Sequence, residues 1–413
     1  MPWKETCVLE QRLAFIQDVL RGHLSKAELC RGYGISRPTG DKWLERFVEH
    51  GMDGLSDLPS IPNHHVNQVP AELAEMLLAL RREHMTWGPK KLKAYLERKY
   101  SAMGWPAAST IGELLRRRGI SVGRLRRHRT PPYTEPFAGC GQPNTTWCGD
   151  FKGQFRTGDG KVCYPLTITD AFSRYLLRCQ GMPGPHLAST QSIFESAFRE
   201  YGIPLAIRSD NGSPFASPGI GGLSRLSIWW IRLGIVPERI ERGHPEQNGR
   251  HERMHRTLKK ETASPSRPSL PSQQRRFDAF RQEYNTQRPH EALDQRTPAD
   301  VYQGSPRRYP PRLPEPHYDG DTEVRYVHNN GEVTWRGQRL YLGGVLGGQH
   351  VGLKEVSEGH WLVSLCQVPL GVLDDCHRKV CDLESAKREG WVPATALPSP
   401  LGCAPGIEQS IHV

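Results

Sequence analysis

"TWCGDFKGQF" (residues 146–155) is where the rhythm of this 413-residue chain changes. Before it, apolar residues recur at helical spacing. From here they alternate in part, through "CYPLTITDAFS" (163–173) and "RYLLRCQG" (174–181), with "RTGDGK" and "DAFS" supplying turns. That pattern predicts three strands. A helical run follows in "HLASTQSIFESAFREYG" (186–202), then a short apolar strand in "IPLAIRSDNG" (203–212) that stops at Asp210. A second helix in "LSRLSIWWIRLG" (223–234) leads to the strand "IVPERI" and to a helix within "HPEQNGRHERMHRTLKK" (244–260). Three strands, helix, strand, helix, strand, helix describes a mixed α/β sheet.

Upstream of the sheet the pattern is all helical. "LEQRLAFIQDVLRG" carries Leu13, Ile16, Val19 and Leu20 at helical spacing and ends at Gly22. "SKAELCRGYG" offers Ser25 as an N-cap, and Gly32 and Gly34 bracket the turn before "ISRPTGDKWLERFVEHG". This last helix starts at Ser36 and buries Trp43, Leu44 and Phe47. Helix, glycine-containing turn and capped helix form the helix-turn-helix layout, which would aim Arg37, Thr39 and Lys42 into a major groove. The plain alternative is a three-helix bundle. After a Pro/Ser/Asn-rich break (57–70), a second helical unit runs through "ELAEMLLALRRE" (72–83), "WGPKKLKAYLERK" (87–99) and "SAMGWPAASTIGELLRRRG" (101–119). Pro89 falls in a first turn, where its missing N–H costs nothing.

Downstream of the sheet, "SPRRYPPRLPEP" (305–316) reads as a hinge. Asn330-Gly331, between alternating runs, is a strong hairpin signal, and "HVGLKEV" and "HWLVSL" supply two more strands. The expected organisation is a helix-turn-helix domain over 1–56, a second over 68–125 and a basic, Pro-rich linker over 126–142. An α/β core over 143–304 and a small β-barrel domain over 318–372 follow, and 373–413 is a tail without assignable structure.

Composition narrows the chemistry. The net charge is +11, and seven arginines (Arg116, Arg117, Arg118, Arg124, Arg126, Arg127 and Arg129) crowd one stretch that holds no acid. Clustered arginine is a footprint for phosphate, although a solvated basic linker has the same composition. The ten cysteines form no C-x-x-C pair, and "CHRKVC" (376–381) is poorly spaced for zinc, so neither a disulfide framework nor a zinc site is expected. The N-terminus is too charged for a secretory signal and no long apolar run is present, which points to a soluble cytoplasmic protein.

Asp150 lies at the end of the first strand and Asp210 at the end of the fourth. Acids at strand ends converge on one edge of a sheet, where they can share divalent cations, as phosphodiester chemistry requires. Mg²⁺ takes a few carboxylates plus water and substrate phosphate, so two or three acids suffice. Each aspartate alone could equally be a turn or capping residue. A third acid should follow on a helix, and Glu246 and Glu252 compete for the place. Glu246 follows Pro245 in a loop. Asn248 is a good N-cap, after which "GRHERMHRTLKK" runs without a breaker. Met254 and Leu258 can face the core. Glu252 then lies about 160° round the helix from Met254, with Arg256 and Lys259 on its side. Local chemistry favours Glu252. Gln247, Asn248, Arg250 and Arg253 are further candidate DNA contacts, with plain surface polarity as the alternative. Asp170 is expected to pair with Ser173 or Arg174 and hold no metal.

"WCGDFKG", "TITDAFSRYLL", "IRSDNGSPF", "QNGRHERMHRTLK" and "YNTQRPHEAL" together resemble the core of bacterial insertion-sequence transposases with a retroviral-integrase-like DDE core. The flanking helix-turn-helix units and C-terminal β domain are similar too. The resemblance covers about residues 5–370. It implies a ribonuclease-H-like core and two Mg²⁺ ions, for which Mn²⁺ should substitute, held by Asp150, Asp210 and Glu252. It implies hydrolysis at the ends of a mobile element and attack of the freed 3′-hydroxyls on target DNA. The implied partners are double-stranded DNA and further copies of the chain, with no membrane, no small-molecule substrate and a nucleoid location. The family's Asn-Gly-x-x-Glu motif also selects Glu252, whereas its usual spacing selects Glu246, which has 35 residues between it and Asp210. The loop "SPFASPGIGG" (213–222) can hold the extra length without disturbing the sheet. The zinc-binding His/Cys pairs of the retroviral N-terminal domain are absent. Two rival readings are a DNA-binding regulator or domesticated protein that has lost catalysis, and a nuclease without strand transfer.

Overall fold

The computed structural model describes residues 7–57, 69–121, 140–217, 219–240 and 249–392. The chain divides into two compact units, Met1–Pro70 and Ala71–Val413.

The first unit holds α1 (Val8–Arg21), α2 (Lys26–Gly32) and α3 (Arg37–His50). Ser25 and Ser36 cap the second and third helices, their hydroxyls accepting from the N–H groups of Glu28 and Thr39. The Glu28 carboxylate accepts in return from the Ser25 N–H, closing a capping box. Gly34 takes φ +65° in the turn between α2 and α3, a backbone that side chains rarely adopt. Phe15, Ile16, Leu29, Cys30, Trp43 and Leu55 form the core. Leu20, expected on the buried stripe, is 71% exposed, and Phe15 takes that role because the inward face of α1 centres on residues 15 and 16.

The second unit begins with α4 (Ala71–Glu83), α5 (Pro89–Lys99) and α6 (Ala108–Arg117), packed around Leu77, Trp87, Leu92 and Ile111. The α/β core follows as β1 (Thr146–Phe151), β2 (Phe155–Arg156), β3 (Val162–Asp170), β4 (Leu176–Met182), α7 (Leu187–Tyr201), β5 (Ala206–Ser209), α8 (Arg225–Arg232), β6 (Val236–Arg239), α9 (Gly249–Thr262) and α10 (Leu270–Thr286). The sheet order is β2-β3-β1-β5-β6, with β4 also on β3. β1, β5 and β6 are parallel, and β3 runs against β1. Alternation along β3 separates the faces. Leu166 and Ile168 enter an aromatic cluster with Phe194, Phe198 and Trp230 of α7 and α8, while Thr167 and Thr169 point at α9. Gly149 is bare because a Cβ there would meet the Phe194 ring at 2.8 Å.

The C-terminal part contains β7 (Glu323–Tyr326), β8 (Glu332–Trp335), β9 (Gln338–Tyr341), β10 (His350–Ser357), β11 (His360–Leu365), β12 (Val368–Asp374), β13 (Lys379–Cys381) and α11 (Leu383–Arg388). Its sheet order is β13-β12-β11-β10-β7, beside the separate β8–β9 pair. Asn330-Gly331 does make a turn, but one bridge, Val327 to Val333, is all that pairs its two arms. The regular hairpin turns instead at Arg336-Gly337, both at positive φ, as a two-residue turn requires. Regular structure also runs past residue 372: β12 reaches Asp374, β13 adds an edge, and Ala386 of α11 is buried with Leu362 and Val372.

Three connections tie these parts together more closely than their composition suggests. The proline-rich stretch read as a hinge is packed down: Arg307 donates to the carbonyls of Pro204, Leu233 and Gly234. The segment after Asp210 is no free loop either. Ile220 packs with Leu223, Ile228 and Ile231 into one cluster with Val333, Leu346, Val363 and Leu370 of the C-terminal part. The α4–α6 module is fastened to α9 and α10. Arg288 and Glu261, both nearly buried, pair at 2.8 Å, and Thr86 bonds to both of them. His84 lies 3.0 Å from Glu283, and Arg98 reaches Asp300 and the Thr286 carbonyl. Lys91 is half-buried beside this seam, and loss of solvent followed by the Arg288 charge lowers its proton affinity to a pKa of about 7.

Removing one member of a buried pair strands the other charge. Glu261→Ala should therefore lower the unfolding free energy by about 3–5 kcal/mol, measured from urea denaturation at pH 7. A loss below about 1 kcal/mol would show that the seam tolerates an unpaired Arg288.

Candidate active site

Two carboxylates meet at one edge of the sheet because of strand register. β1 and β5 pair in parallel up to Gly149 and Ser209, so Asp150 and Asp210 stand side by side one step further on. Adjacent strands lie roughly 5 Å apart, and residues at matching register point to the same face. Asp150 is largely buried and its carboxyl is pushed up to about 7, first by burial and then by the charge of Asp210. Asp210 is raised in the same direction by burial, against one opposing bond from the Gly212 N–H at 3.1 Å.

A further carboxylate near this corner comes from α9. Glu252 lies in its first turn, exposed, and close enough for its charge to add to the raised proton affinity of Asp150. The opposite face of α9 is a buried stripe of His251, Met254, His255, Leu258 and Thr262, at the spacing of a helix packed on a sheet. Arg253, Arg256 and Lys259 are exposed on the same helix, and Lys152 follows Asp150 on β1's exit. Glu246, Gln247 and Asn248 lie outside the described residues, as does the side chain of Arg250.

The stripe contains two histidines that the sequence reading passed over. His251 and His255 sit one turn apart, 2% and 3% exposed. Both Nε2 atoms approach the Thr167 hydroxyl, at 2.7 and 2.6 Å. His251 Nδ1 lies 3.0 Å from the Thr169 hydroxyl, and His255 Nδ1 lies 3.6 Å from Asp150 Oδ2. Burial lowers His251 to a pKa of about 3 and holds His255 well below the usual imidazole value, so both rings are neutral at physiological pH. Asp150, His251 and His255 could bring three donor atoms within 4.8 Å of one another. The usable signal was the i,i+4 histidine pair on the Met254–Leu258 face.

The remaining predicted residues are spread over other elements. Asp170 is buried and accepts from the N–H groups of Asn144 and Ser173 and from the Ser173 hydroxyl, a structural role. Arg37 and Lys42 are exposed near the start of α3. The Thr39 hydroxyl bonds to that of Ser36 within the cap. Arg116 and Arg117 both bind Glu113, and Arg118 is exposed beside them. Arg124, Arg126, Arg127 and Arg129 lie outside the described residues.

Comparison with known proteins gives matches over the helical and the α/β parts of the chain. The integrase core domain family matches residues 141–245 and 233–298, a helix-turn-helix domain family matches 11–62, and a homeodomain-like family matches 39–115. The chain is 29% identical over 283 residues to an uncharacterized 31.7 kDa protein of insertion element IS407 from Burkholderia multivorans, covering 67% of this chain and 90% of that protein. It is 24% identical over 295 residues to the transposase InsD of insertion element IS2 from Escherichia coli, covering 67% and 93%. Among solved structures, the HTLV-2 integrase catalytic core domain in complex with magnesium aligns at 19% identity and TM-score 0.31, over 39% of this chain and 97% of that one. A simian T-cell lymphotropic virus intasome aligns at 17% identity and TM-score 0.35, over 70% and 91%. No helix among the described residues is long and apolar enough to cross a membrane.

The raised Asp150 carboxyl gives a pH test with a definite sign. A carboxyl whose folded pKa exceeds its unfolded value stabilises the fold below about pH 4, and that stabilisation is lost as pH rises through about 7. A divalent cation must displace the proton, so Mg²⁺ should raise the melting temperature at pH 8 and do so less at pH 6. Asp150→Asn should melt higher than the parent chain at pH 8 without Mg²⁺ and gain nothing when Mg²⁺ is added. Equal Mg²⁺ shifts at both pH values would contradict this.

Proposed function

We propose that this chain, an insertion-sequence transposase with an integrase-type core, binds the terminal inverted repeats of its element, cuts at the ends and joins the 3′-hydroxyls to target DNA. The observation that carries this reading is the pair of carboxylates at the ends of adjacent parallel strands, with Glu252 in electrostatic reach.

Clustered carboxylates that raise one another's proton affinity fit a divalent cation better than they fit an empty surface. An all-oxygen donor set suits Mg²⁺, and Mn²⁺ shares that preference. Asp150, Asp210 and Glu252 are the residues that would hold two such ions. When bound, the ions supply charge stabilisation to the attacking and leaving oxygens of an in-line displacement. The protein's own groups set the geometry. Parallel strand pairing fixes the first two carboxylates, and the buried face of α9 fixes the third. Lys152, Arg253, Arg256 and Lys259 offer positive charge to phosphates on either side of the acids. In the first step water bonds to phosphorus and the 3′-oxygen leaves with a proton. In the second, that 3′-hydroxyl attacks a target phosphodiester and releases a target 3′-hydroxyl.

The first helix-turn-helix unit would read the repeat through Arg37, Thr39 and Lys42, and the arginines from 116 to 129 would add phosphate contacts. Assembly as a multimer would bring two element ends together.

The test uses purified full-length protein, Mg²⁺ and labelled element ends. Cleavage at the 3′ ends followed by joined product is expected, and binding without either would sink the proposal. Glu252→Gln should abolish chemistry by at least about a thousandfold and leave end binding intact, the pattern expected for a group acting only on the reacting atoms. Glu246→Gln should retain most of the activity. The reverse result would transfer the third acid to Glu246.

A further inference from the structure

We infer that His255, backed by Thr167 and His251, is a positioning residue: it orients the Asp150 carboxylate and holds the helix that carries Glu252 against the strand that carries Asp150. The inference rests on the reading of these acids as cation ligands and adds to it residues that touch neither metal nor DNA.

Two ladders meet behind the acids. Thr167 pairs in register with Asp150, and Thr169 with Cys148, so all four side chains lie on the α9 face of the sheet. Two residues along a strand advance about 6.8 Å, and one helical turn of four residues advances about 6 Å. The two threonine hydroxyls therefore line up with the two imidazoles of α9. Glu252 adjoins His251, so a hydrogen bond that fixes either ring also fixes the height of the carboxylate above the sheet.

Hydrogen bonding and the charge on Asp150 together select one order. Thr167 has one hydroxyl proton and three neighbours, the two Nε2 atoms at 2.7 and 2.6 Å and the Asp150 carbonyl oxygen at 3.2 Å, so it donates to one of them and accepts from ring N–H groups. In one order, Thr169 donates to His251 Nδ1, His251 Nε2–H donates to Thr167, and Thr167 donates to His255 Nε2. That order leaves the proton of His255 on Nδ1, aimed at Asp150 Oδ2 3.6 Å away. Any other order, whether Thr167 donates to His251 or to the Asp150 carbonyl, puts the His255 proton on Nε2 and turns a lone pair of Nδ1 toward an ionised carboxylate, which is repulsive. With Asp150 ionised, as cation binding demands, the first order wins and His255 presents an N–H. At 3.6 Å the gap exceeds a hydrogen bond, so in this structure the N–H acts on the carboxylate as an electrostatic neighbour.

The competing interpretation makes Asp150, His251 and His255 a metal site of their own. Both nitrogens of His251 already meet threonine hydroxyls, and its ring is buried. An ion there would have to break those bonds in a closed interior.

The test measures Mn²⁺ binding to the full-length chain, using the electron paramagnetic resonance signal of free Mn²⁺ at pH 8, with circular dichroism as a fold control. His255→Leu keeps the volume and removes both ring nitrogens. Thr167→Val removes only the hydroxyl and serves if the leucine variant does not fold. Each should weaken Mn²⁺ binding about ten- to a hundredfold, the usual effect of losing a group that orients a ligand. His255→Asn, which can place an N–H near the Nδ1 position, should recover most of that loss, and His255→Gln less of it. Unchanged Mn²⁺ affinity in folded His255→Leu or Thr167→Val overturns the inference. So does equal loss in the asparagine and leucine variants. Mn²⁺ binding that survives Asp210→Asn with Glu252→Gln but disappears with His251→Leu would make the histidines ligands, and that also overturns it. The expected order of affinities without any DNA joining would leave this inference standing and sink the transposition reading alone.

Discussion

Parallel pairing of β1 with β5 is the constraint from which the rest of the catalytic unit follows. It forces two carboxylates into one corner of the sheet, partly out of water, where neither relieves the other. Such a corner is unfavourable in the chain alone, since burial and like charge both raise the proton affinity of Asp150. The aromatic cluster on the α7–α8 face, with Phe194 against bare Gly149, gives the strands a rigid backing that opposes splaying. On the other face α9 closes the corner with a mixed seam, apolar through Met254 and Leu258 and polar through the two histidines.

The legible parts of this structure are those decided locally. Period-2 alternation marks β1, β3 and β4, and an apolar run stopped by Asp-Asn-Gly marks the end of β5. Serine caps mark α2 and α3, because each cap is satisfied within four residues. The illegible parts are decided by distant partners. His251 and His255 look like surface polarity in a basic helix until Thr167 and Thr169 arrive from a strand some eighty residues earlier. Arg307 sits in a stretch with the composition of a linker, yet three carbonyls from two other segments accept its protons. Asn330-Gly331 is the stronger turn signal, but β7 finds its partner in β10, so the hairpin register passes to Arg336-Gly337. Short edge elements such as β13 and α11 carry too few residues to show a period at all.

The seam between the α4–α6 module and the core links the helical module to the acids by a short route. Glu261 belongs to the same helix as Glu252, and it is bound by Arg288 and by Thr86 of the helical module. One helix therefore carries a candidate ligand near its start and a buried anchoring ion pair near its end. Movement of the helical module cannot leave α9 unaffected while Thr86 stays bonded to that pair.

The length of chain between Asp210 and Glu252 takes on a different meaning once its surroundings are considered. Ile220 and Leu223 lie in a common apolar cluster with the C-terminal sheet, and Arg239 donates to the Gly221 carbonyl from the next strand. The interval is thus a mounting bracket for the C-terminal sheet. In this chain, then, the extra length between Asp210 and Glu252 is spent on seating the C-terminal sheet.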